Sequence, residues 1–246
     1  MKFVFKTDVG KKRKNNEDSV YVKKYDEDTF FYIVADGLGG YESGEIASYM
    51  LTKIMSSYID EKIDVLKKLD EVDVKKCLVD ALELANKTIF DLEKTDSKYK
   101  GMGTTVVAVL KINSKIYYVS IGDSRIYHID SLISKITQIT IDDTYVNELI
   151  KTNVIKEEEA FNHPQKHVLT KAVGIVKNIN VKVNLLDENL KGYLILCTDG
   201  LNNMIKEEDL LKIFRENKFN NLAEKLVKIA NENGGTDNIT VIVVEL

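Results

Sequence analysis

The sequence is poor in the residues that build disulfide frameworks and sulfur- or nitrogen-ligated metal sites. It contains two cysteines, Cys77 and Cys197, and three histidines, His128, His163 and His167. Two dispersed cysteines are too few for a disulfide framework or a zinc cluster, and no histidine stands at metal-ligand spacing from them. Any bound metal must therefore have oxygen ligands, which favours Mg²⁺, Mn²⁺ or Ca²⁺ over Zn²⁺.

The chain also lacks long apolar runs, flexible linkers and a strong excess of charge. No apolar stretch has the length of a membrane span, and the first residues do not resemble a signal peptide. A formal net charge of -4 argues against a general binder of nucleic acid or of anionic membranes. With a single proline, Pro164, and no low-complexity tract, we expect one domain over residues 1–246 that is cytoplasmic and monomeric.

Short segments rich in β-branched and aromatic residues are grouped between amphipathic helices. Strands are expected at Lys2–Lys6, Ser19–Tyr25, Thr29–Ala35, Thr104–Leu110, Lys115–Ile121, Arg125–Ile129, Val181–Val183, Tyr193–Cys197 and Ile239–Val244. Helices are expected at about Gly44–Ile59, Asp73–Leu92, Glu207–Arg215 and Asn221–Asn231. This order lacks the strict alternation of a parallel sheet. It predicts an α+β fold with two antiparallel β-sheets between helical layers, and an irregular, inserted flap at Thr144–Lys166.

Three predicted strands meet an aspartate where a glycine-bearing turn begins or ends. Asp36 and Asp199 each follow a strand and precede a glycine, and Asp237 lies just before the last strand. If the strands are neighbours, the carboxylates converge at one sheet end, beside Asp18. Converging carboxylates repel one another, and a divalent cation is the usual remedy. The alternative is that each aspartate only shapes a turn or caps a helix.

The glycines after Asp36 also invite a test for nucleotide binding. Gly37-Leu38-Gly39-Gly40 follows a strand and precedes a helix, as a dinucleotide fingerprint does. However, Glu42 stands where the third glycine should fall, and Asp36 would face the pyrophosphate. No Gly-Lys-Ser/Thr follows these glycines, so the Walker-type phosphate loop is absent too.

Seven motifs in a fixed order carry a family resemblance that covers almost the whole chain. They are Arg13-x-x-Asn16-Glu17-Asp18, Val34-Ala35-Asp36-Gly37-Leu38-Gly39-Gly40, Gly44-Glu45-x-Ala47-Ser48, Gly101-Met102-Gly103-Thr104-Thr105, Ile121-Gly122-Asp123-Ser124-Arg125-x-Tyr127, Cys197-Thr198-Asp199-Gly200-Leu201 and Gly235-Thr236-Asp237-Asn238-Ile239-Thr240. Any one of them is weak, but the ordered set closely resembles the bacterial 2C-type metal-dependent protein serine/threonine phosphatases of the PPM family.

The resemblance implies an α/β/β/α four-layer sandwich with a metal centre at one end of the central β-sandwich. It implies two core ions of Mn²⁺ or Mg²⁺, with a third ion as a further expectation. Asp36 would bridge the core ions, and the carbonyl of Gly37 would ligate one of them. Asp199 and Asp237 would ligate the other, and Asp18 would join through water.

The resemblance also assigns residues around the core ions. Asp142 aligns with the aspartate that helps to hold the third ion, together with Asp199. Arg13 would bind the substrate phosphate with its planar fork. Asn238 is expected to support the metal ligands from behind. Asp123 and Arg125 are expected to shape and tie a strand turn.

Several positions depart from the family pattern and leave the leaving-group acid unassigned. Leu38 replaces the histidine of eukaryotic members, as in bacterial members. Tyr41 stands where bacterial members often have histidine after the double glycine, and Asp143 replaces the usual histidine after the third-metal aspartate. His163 resembles a family His-Pro, for which a structural turn is expected.

The expected reaction is hydrolysis of phosphoserine and phosphothreonine in proteins by a water activated between two divalent cations. The expected partners are phosphorylated proteins, namely a serine/threonine kinase and its substrates. Two alternatives stay open at this point. One is a phosphatase of a small phosphorylated metabolite, and the other is a non-catalytic phosphoprotein-binding module of the same fold.

Overall fold

The computed structural model describes residues 1–39, 43–132, 134–160, 163–187 and 189–246, which form two antiparallel sheets. The first sheet contains, in spatial order, β1 (Lys2–Asp8), β11 (Ile239–Glu245), β10 (Tyr193–Cys197), β7 (Arg125–Asp130) and β8 (Lys135–Gln138). The second contains β2 (Asp18–Lys24), β3 (Phe30–Leu38), β5 (Val106–Ile112), β6 (Lys115–Ile121) and β9 (Asn184–Leu185). A short strand, β4 (Gly103–Thr104), pairs with the end of β3.

Helices cover the outer faces of both sheets. The second sheet is covered by α1 (Ser43–Leu66) and α2 (Glu71–Glu93). The first sheet is covered by α5 (Asp199–Asn202), α6 (Glu207–Glu216) and α7 (Leu222–Glu232). The connection from β8 to β9 carries α3 (Tyr145–Lys151) and α4 (Glu157–Ala160). Within the described residues, no helix is both long and apolar enough to cross a bilayer.

Strand β3 shows why the four layers form. It is buried on both faces, and its side chains alternate between two different cores. Phe31 and Ile33 pack beneath α1 and α2, whereas Phe30 and Tyr32 pack between the two sheets. A strand that is apolar on both faces needs a covering layer on each side. The predicted α+β fold, a four-layer α/β/β/α sandwich, is therefore confirmed.

The prediction of a strand at Val181–Val183 is wrong. The strand in this region is Asn184–Leu185, which pairs with Tyr117 and Tyr118 of β6. Val183 is instead buried in the core beneath α1 and α2. The alternating valines here reflect packing of side chains against the core. They do not indicate the backbone pairing that defines a strand.

The segment Thr144–Lys166 is less irregular than predicted, because it contains α3 and α4. The side chain of Thr144 caps α3 by accepting a hydrogen bond from the backbone amide of Asn147. Val146 is the buried side chain of α3, and α4 buries none. Helices that bury so little leave no apolar periodicity in the sequence, so pattern analysis misses them.

Candidate metal centre

The aspartates reach the site from both sheets. Asp18 begins β2 and pairs directly with Asp36 of β3 in the second sheet. Asp199 begins α5 immediately after β10, and Asp237 lies just before β11, the neighbour of β10 in the first sheet. The carboxylates thus converge across the gap between the sheets, and not at the end of one sheet as expected. Asp36 and Gly37 lie inside β3, because β4 pairs with Gly37 and extends the strand.

Two glycines of the site bring backbone against backbone. A side chain at Gly37 would place its Cβ 2.1 Å from the carbonyl oxygen of Gly44. A side chain at Gly200 would place its Cβ 1.9 Å from the carbonyl oxygen of Asn238. Only glycine allows such approaches. The main chain beside Asp36 is therefore fixed against the start of α1, and the main chain beside Asp199 is fixed against the loop before β11.

The carboxylates are buried near one another, and each disfavours the ionised form of its neighbours. Burial raises the pKa of Asp36 well above its usual value, and the charges of Asp18 and Asp199 add to this effect. Burial likewise raises the pKa of Asp18 to about 7, with Asp199 and Asp237 acting in the same direction. The pKa of Asp199 is also raised, first by burial and then by Asp237. Such a group favours binding of a cation.

Two carboxylate oxygens in this group lack the partners that buried oxygens normally have. Oδ2 of Asp18 accepts a hydrogen bond of 2.9 Å from the Thr198 hydroxyl. Oδ1 of Asp18 and Oδ1 of Asp199 are buried, and the described residues offer neither a hydrogen-bond donor. A buried anionic oxygen without a partner is costly, and a hard divalent cation is the partner that oxygen donors of this kind fit.

Both carboxylate oxygens of Asp237 have protein partners. The Arg13 guanidinium donates to Oδ2 of Asp237 at 2.9 Å, and the backbone amide of Asn238 donates to Oδ1 at 2.8 Å. Among the described residues, no three acidic, histidine or cysteine side chains surround one point closely enough to hold an ion alone. Mg²⁺ is commonly held by one or two carboxylates with water completing its shell, and the arrangement of Asp18, Asp36 and Asp199 suits that mode.

Asn238 ties the loop between β1 and β2 to the metal site. Its side-chain amide donates to the carbonyls of Val9 and Asn15, both at 2.9 Å. Its side-chain carbonyl accepts from the backbone amide of Glu17 at 2.8 Å. Asn238 is 3% exposed, so these bonds are shielded from water. The loop that carries Arg13 is thus fastened to the residue next to Asp237.

The structure places Asp142 in a salt bridge. Arg125 donates to both carboxylate oxygens at 2.7–3.0 Å, and the amide of Gln138 donates to Oδ1 at 2.9 Å. Asp142 therefore already has its charge compensated. Arg125 ties the strand turn, as expected.

Asp123, which sequence reasoning assigned to that turn, instead lines the same cleft as Asp36 and Asp199. Burial raises its pKa to about 7, and the charges of Asp199 and Asp142 contribute. The sequence did carry a sign of this role. Asp123 follows β6 at a glycine, the pattern that singled out the other site aspartates.

The aspartates Asp36, Asp123, Asp199 and Asp237 line a cleft of about 930 Å³. The lining also includes Arg13 and Glu17, together with Thr144, Ala160 and Lys166 of the flap segment. His167 lines the cleft as well, although no motif singled it out. A cleft of this size is open enough to admit a phosphorylated side chain.

The positions that depart from the family pattern have mostly structural contacts. Asp143 accepts a hydrogen bond from the Gly122 amide at 3.2 Å and pairs with Lys171. His163 lies in a turn, where its Nδ1 accepts from the amide of Gln165 at 3.1 Å. Leu38 ends β3 at the cleft wall. Gly40, Tyr41 and Glu42 lie outside the described residues.

Comparisons with known proteins agree with this site. The family model described as Protein phosphatase 2C matches residues 10–240. Protein phosphatase PhpP of Streptococcus pneumoniae is 37% identical over 244 residues, which cover 98% of this chain and 95% of that protein. The structure of the S. agalactiae serine/threonine phosphatase has a TM-score of 0.90 at 31% identity and covers 100% of this chain and 99% of that one.

A third comparison concerns the metal. The catalytic domain of the serine/threonine protein phosphatase PstP, solved in complex with two manganese ions, has a TM-score of 0.83 at 28% identity. That match covers 99% of this chain and 97% of the PstP domain. The predicted resemblance to bacterial 2C-type phosphatases is confirmed: the chain belongs to the protein phosphatase 2C family and is a protein phosphatase.

Proposed function

We propose that this enzyme hydrolyses phosphoserine and phosphothreonine in proteins with the help of two Mn²⁺ or Mg²⁺ ions. The observation that supports this most is the buried group of Asp18, Asp36 and Asp199, two of whose oxygens have no hydrogen-bond donor in the part of the chain that the structure describes. Relatives named serine/threonine phosphatases match the chain from end to end, which supports the substrate class.

Different residues of the chain would hold the ions and the substrate phosphate. Asp36 and the Gly37 carbonyl would hold one ion, and Asp36, Asp199 and Asp237 the other, with Asp18 acting through water. When bound, the two ions supply a water of lowered pKa and neutralise charge on the phosphoryl oxygens. Arg13, whose side chain is 49% exposed at the cleft, binds the phosphate. Asn238 keeps the Arg13 loop in place.

A third ion would be held by Asp123 together with Asp199. Asp123 thus takes the role that the family resemblance implies for Asp142. Asp142 would have to give up its hydrogen bonds to Arg125 and Gln138 before it could bind a cation. Asp123 has no such salt bridge among the described residues and lines the cleft. Asp142 then acts by fixing Arg125.

We treat residues 1–246 as one phosphatase catalytic domain in which residues 144–166 form a substrate-selecting flap. Thr144 and Lys166 line the cleft, which supports contact between the flap and the substrate. All proposed ligands come from a single chain, which supports a monomer. Cys77 and Cys197 are free, buried thiols, which suits the reducing cytoplasm.

The proposed partners are phosphorylated proteins and the serine/threonine kinase that modifies them. A phosphatase of this class needs a kinase to supply its substrate, because the phosphate ester must first be formed on serine or threonine. The two enzymes would then set the phosphorylation level of shared substrates.

Replacing Asp36, Asp199 or Asp237 with asparagine tests the metal centre. Each change keeps the side-chain shape but removes one anionic ligand. We expect Mn²⁺-dependent hydrolysis of a phosphothreonine peptide to fall by at least about 100-fold. Calorimetric titration with Mn²⁺ should show weaker binding, and Asp80→Asn on α2 should behave as wild type. Retained activity and Mn²⁺ affinity in all three variants would refute the assignment.

A further inference from the structure

The loop between β1 and β2 presents more positive charge than the phosphate itself requires. Arg13 is flanked by Lys11, Lys12 and Lys14, and all four residues are exposed. Among the described residues, the ammonium groups of the three lysines have no acidic partner, whereas Arg13 is paired with Asp237. The usual interpretation of such a run is a solvated basic turn. Here, however, the run surrounds Arg13, which lines the cleft.

The backbone of the loop is held in place, so the starting points of these side chains are fixed relative to Arg13. The backbone amides of Lys11 and Lys12 both donate to the carbonyl of Gly235, at 2.8 and 3.2 Å. The Asn238 side chain fastens Val9 and Asn15 on either side of the basic residues. A flexible tail would lose conformational entropy on binding a partner, and a fastened loop loses much less.

The chain geometry sets the distance between these lysines and a bound phosphate. Consecutive Cα atoms are about 3.8 Å apart, so Lys12 and Lys14 each begin within about 4 Å of the Cα of Arg13. An extended substrate rises about 3.3 Å per residue. When Arg13 holds the phosphate, acidic side chains one to three residues from the phosphorylated position therefore come within reach of one lysine or the other.

From this geometry we infer that the Lys11–Lys14 loop selects substrates with acidic residues, or a second phosphate, next to the phosphorylated residue. The inference rests on the proposed function and adds the class of substrate sequence. The basic loop contrasts with the rest of the cleft wall nearby, where Glu17, Asp36 and Asp237 are acidic. A segment with basic flanks would meet the lysines as like charges, so the loop also disfavours it.

The experiment compares matched phosphothreonine peptides that differ only in having glutamate or glutamine on both sides of the phosphothreonine. With Mn²⁺ and low salt, we expect kcat/KM of the wild type to be about threefold to tenfold higher for the glutamate peptide, the gain of one or two exposed ion pairs. The ratio should fall toward one in the double variant Lys12→Gln/Lys14→Gln, and also in high salt. Lys68→Gln/Lys76→Gln is the charge-matched control and should keep the ratio, because Lys68, just after α1, and Lys76, in α2, do not line the cleft.

Hydrolysis of p-nitrophenyl phosphate, which has no flanking residues, distinguishes failure of this inference from failure of the proposed function. Equal hydrolysis by the wild type and both double variants is expected, because Arg13 and the aspartates are intact. If this substrate is hydrolysed but the wild type shows no preference for acidic flanks, or if the preference survives in Lys12→Gln/Lys14→Gln, the inference is overturned and the proposed function stands. If the wild type hydrolyses none of the substrates with Mn²⁺ or Mg²⁺, both are overturned.

Discussion

At the scale of single residues, the site concentrates buried acids that a folded protein normally avoids. Asp18 and Asp36 are paired across two strands, and both have raised pKa values because burial and like charges oppose ionisation. The folded, metal-free protein therefore holds protons that the unfolded chain has already released. Divalent ions compensate this cost when they bind, so metal binding and folding are linked.

This linkage predicts how the stability of the metal-free protein depends on pH. The pKa of Asp18 is about 7 in the folded protein against an ordinary 3.8, so the folded state binds more protons between these values. Its contribution to the free energy of unfolding is present below about pH 4 and is lost as the pH rises toward 7. Urea unfolding in EDTA at several pH values should show this decline.

Asp18→Asn provides the control for that measurement. The asparagine cannot titrate, so the variant should show a shallower loss of stability between pH 4 and about 7. Identical slopes in the variant and the wild type would mean that Asp18 does not hold the extra proton.

At the scale of elements, the most informative contact is the fastening of the loop between β1 and β2 by Asn238. One side chain satisfies three backbone groups, on Val9, Asn15 and Glu17. The loop contains no regular element of its own. Its conformation depends on these bonds and on the Gly235 carbonyl, which accepts from Lys11 and Lys12.

Asn238→Ala should therefore affect both stability and catalysis. Leaving these backbone groups without partners should lower the free energy of unfolding by about 1–3 kcal/mol. Because Arg13 loses its fixed position, kcat/KM for a phosphopeptide should fall as well. Asn217→Ala is a suitable comparison, since Asn217 donates to the Ile213 carbonyl at 2.8 Å on α6. It should lose stability without a change in KM or kcat, and the same pattern in Asn238→Ala would exclude a positioning role.

The elements also show how far the sequence predicts the structure. Strands such as Lys115–Ile121 and Tyr193–Cys197 have the predicted bounds, because dense β-branched and aromatic residues coincide with a fully paired backbone. Val181–Val183 was predicted wrongly because its valines pack against the core, Val183 fully buried and Val181 partly, without backbone pairing. β8 was missed because its four residues alternate between half-buried and exposed and contain no long apolar run.

Among the site residues, too, some could be predicted from the sequence and others could not. The aspartates Asp36, Asp199 and Asp237 could be found from strand ends and motifs, and the structure brings them to one cleft. For Asp123 and Asp142 the sequence gives competing signals: the family motif points to Asp142, whereas the strand-end pattern of the other aspartates points to Asp123. What separates them is Arg125, which the fold places against Asp142.

At the scale of the whole molecule, the metal centre joins the two halves of the sandwich. Asp18 and Asp36 belong to the second sheet, whereas Asp199 and Asp237 adjoin β10 and β11 of the first. The two sheets are also joined by the apolar core between them, which includes Tyr32, and by the hydrogen bond from Thr198 to Asp18. Bound ions would therefore add a further link between the sheets.

We expect Mn²⁺ to protect both sheets together. At a free concentration 100 times Kd, a bound ion should raise the free energy of unfolding by about 2.7 kcal/mol. Hydrogen exchange should slow in β3 and in β10 and β11 alike, because the ligands come from both. Asp36→Asn should remove this protection from both sheets. Slower exchange in one sheet alone would show that the ions do not link them.

The close approach at Gly37 and Gly200 has a consequence for how such an enzyme can diversify. Any side chain there would collide with a backbone carbonyl, so the centre offers almost no room for adaptive substitution. New preferences must then arise at the perimeter, in the Lys11–Lys14 loop and residues 144–166. Libraries that aim to retarget the enzyme should vary those two segments and leave the interior untouched.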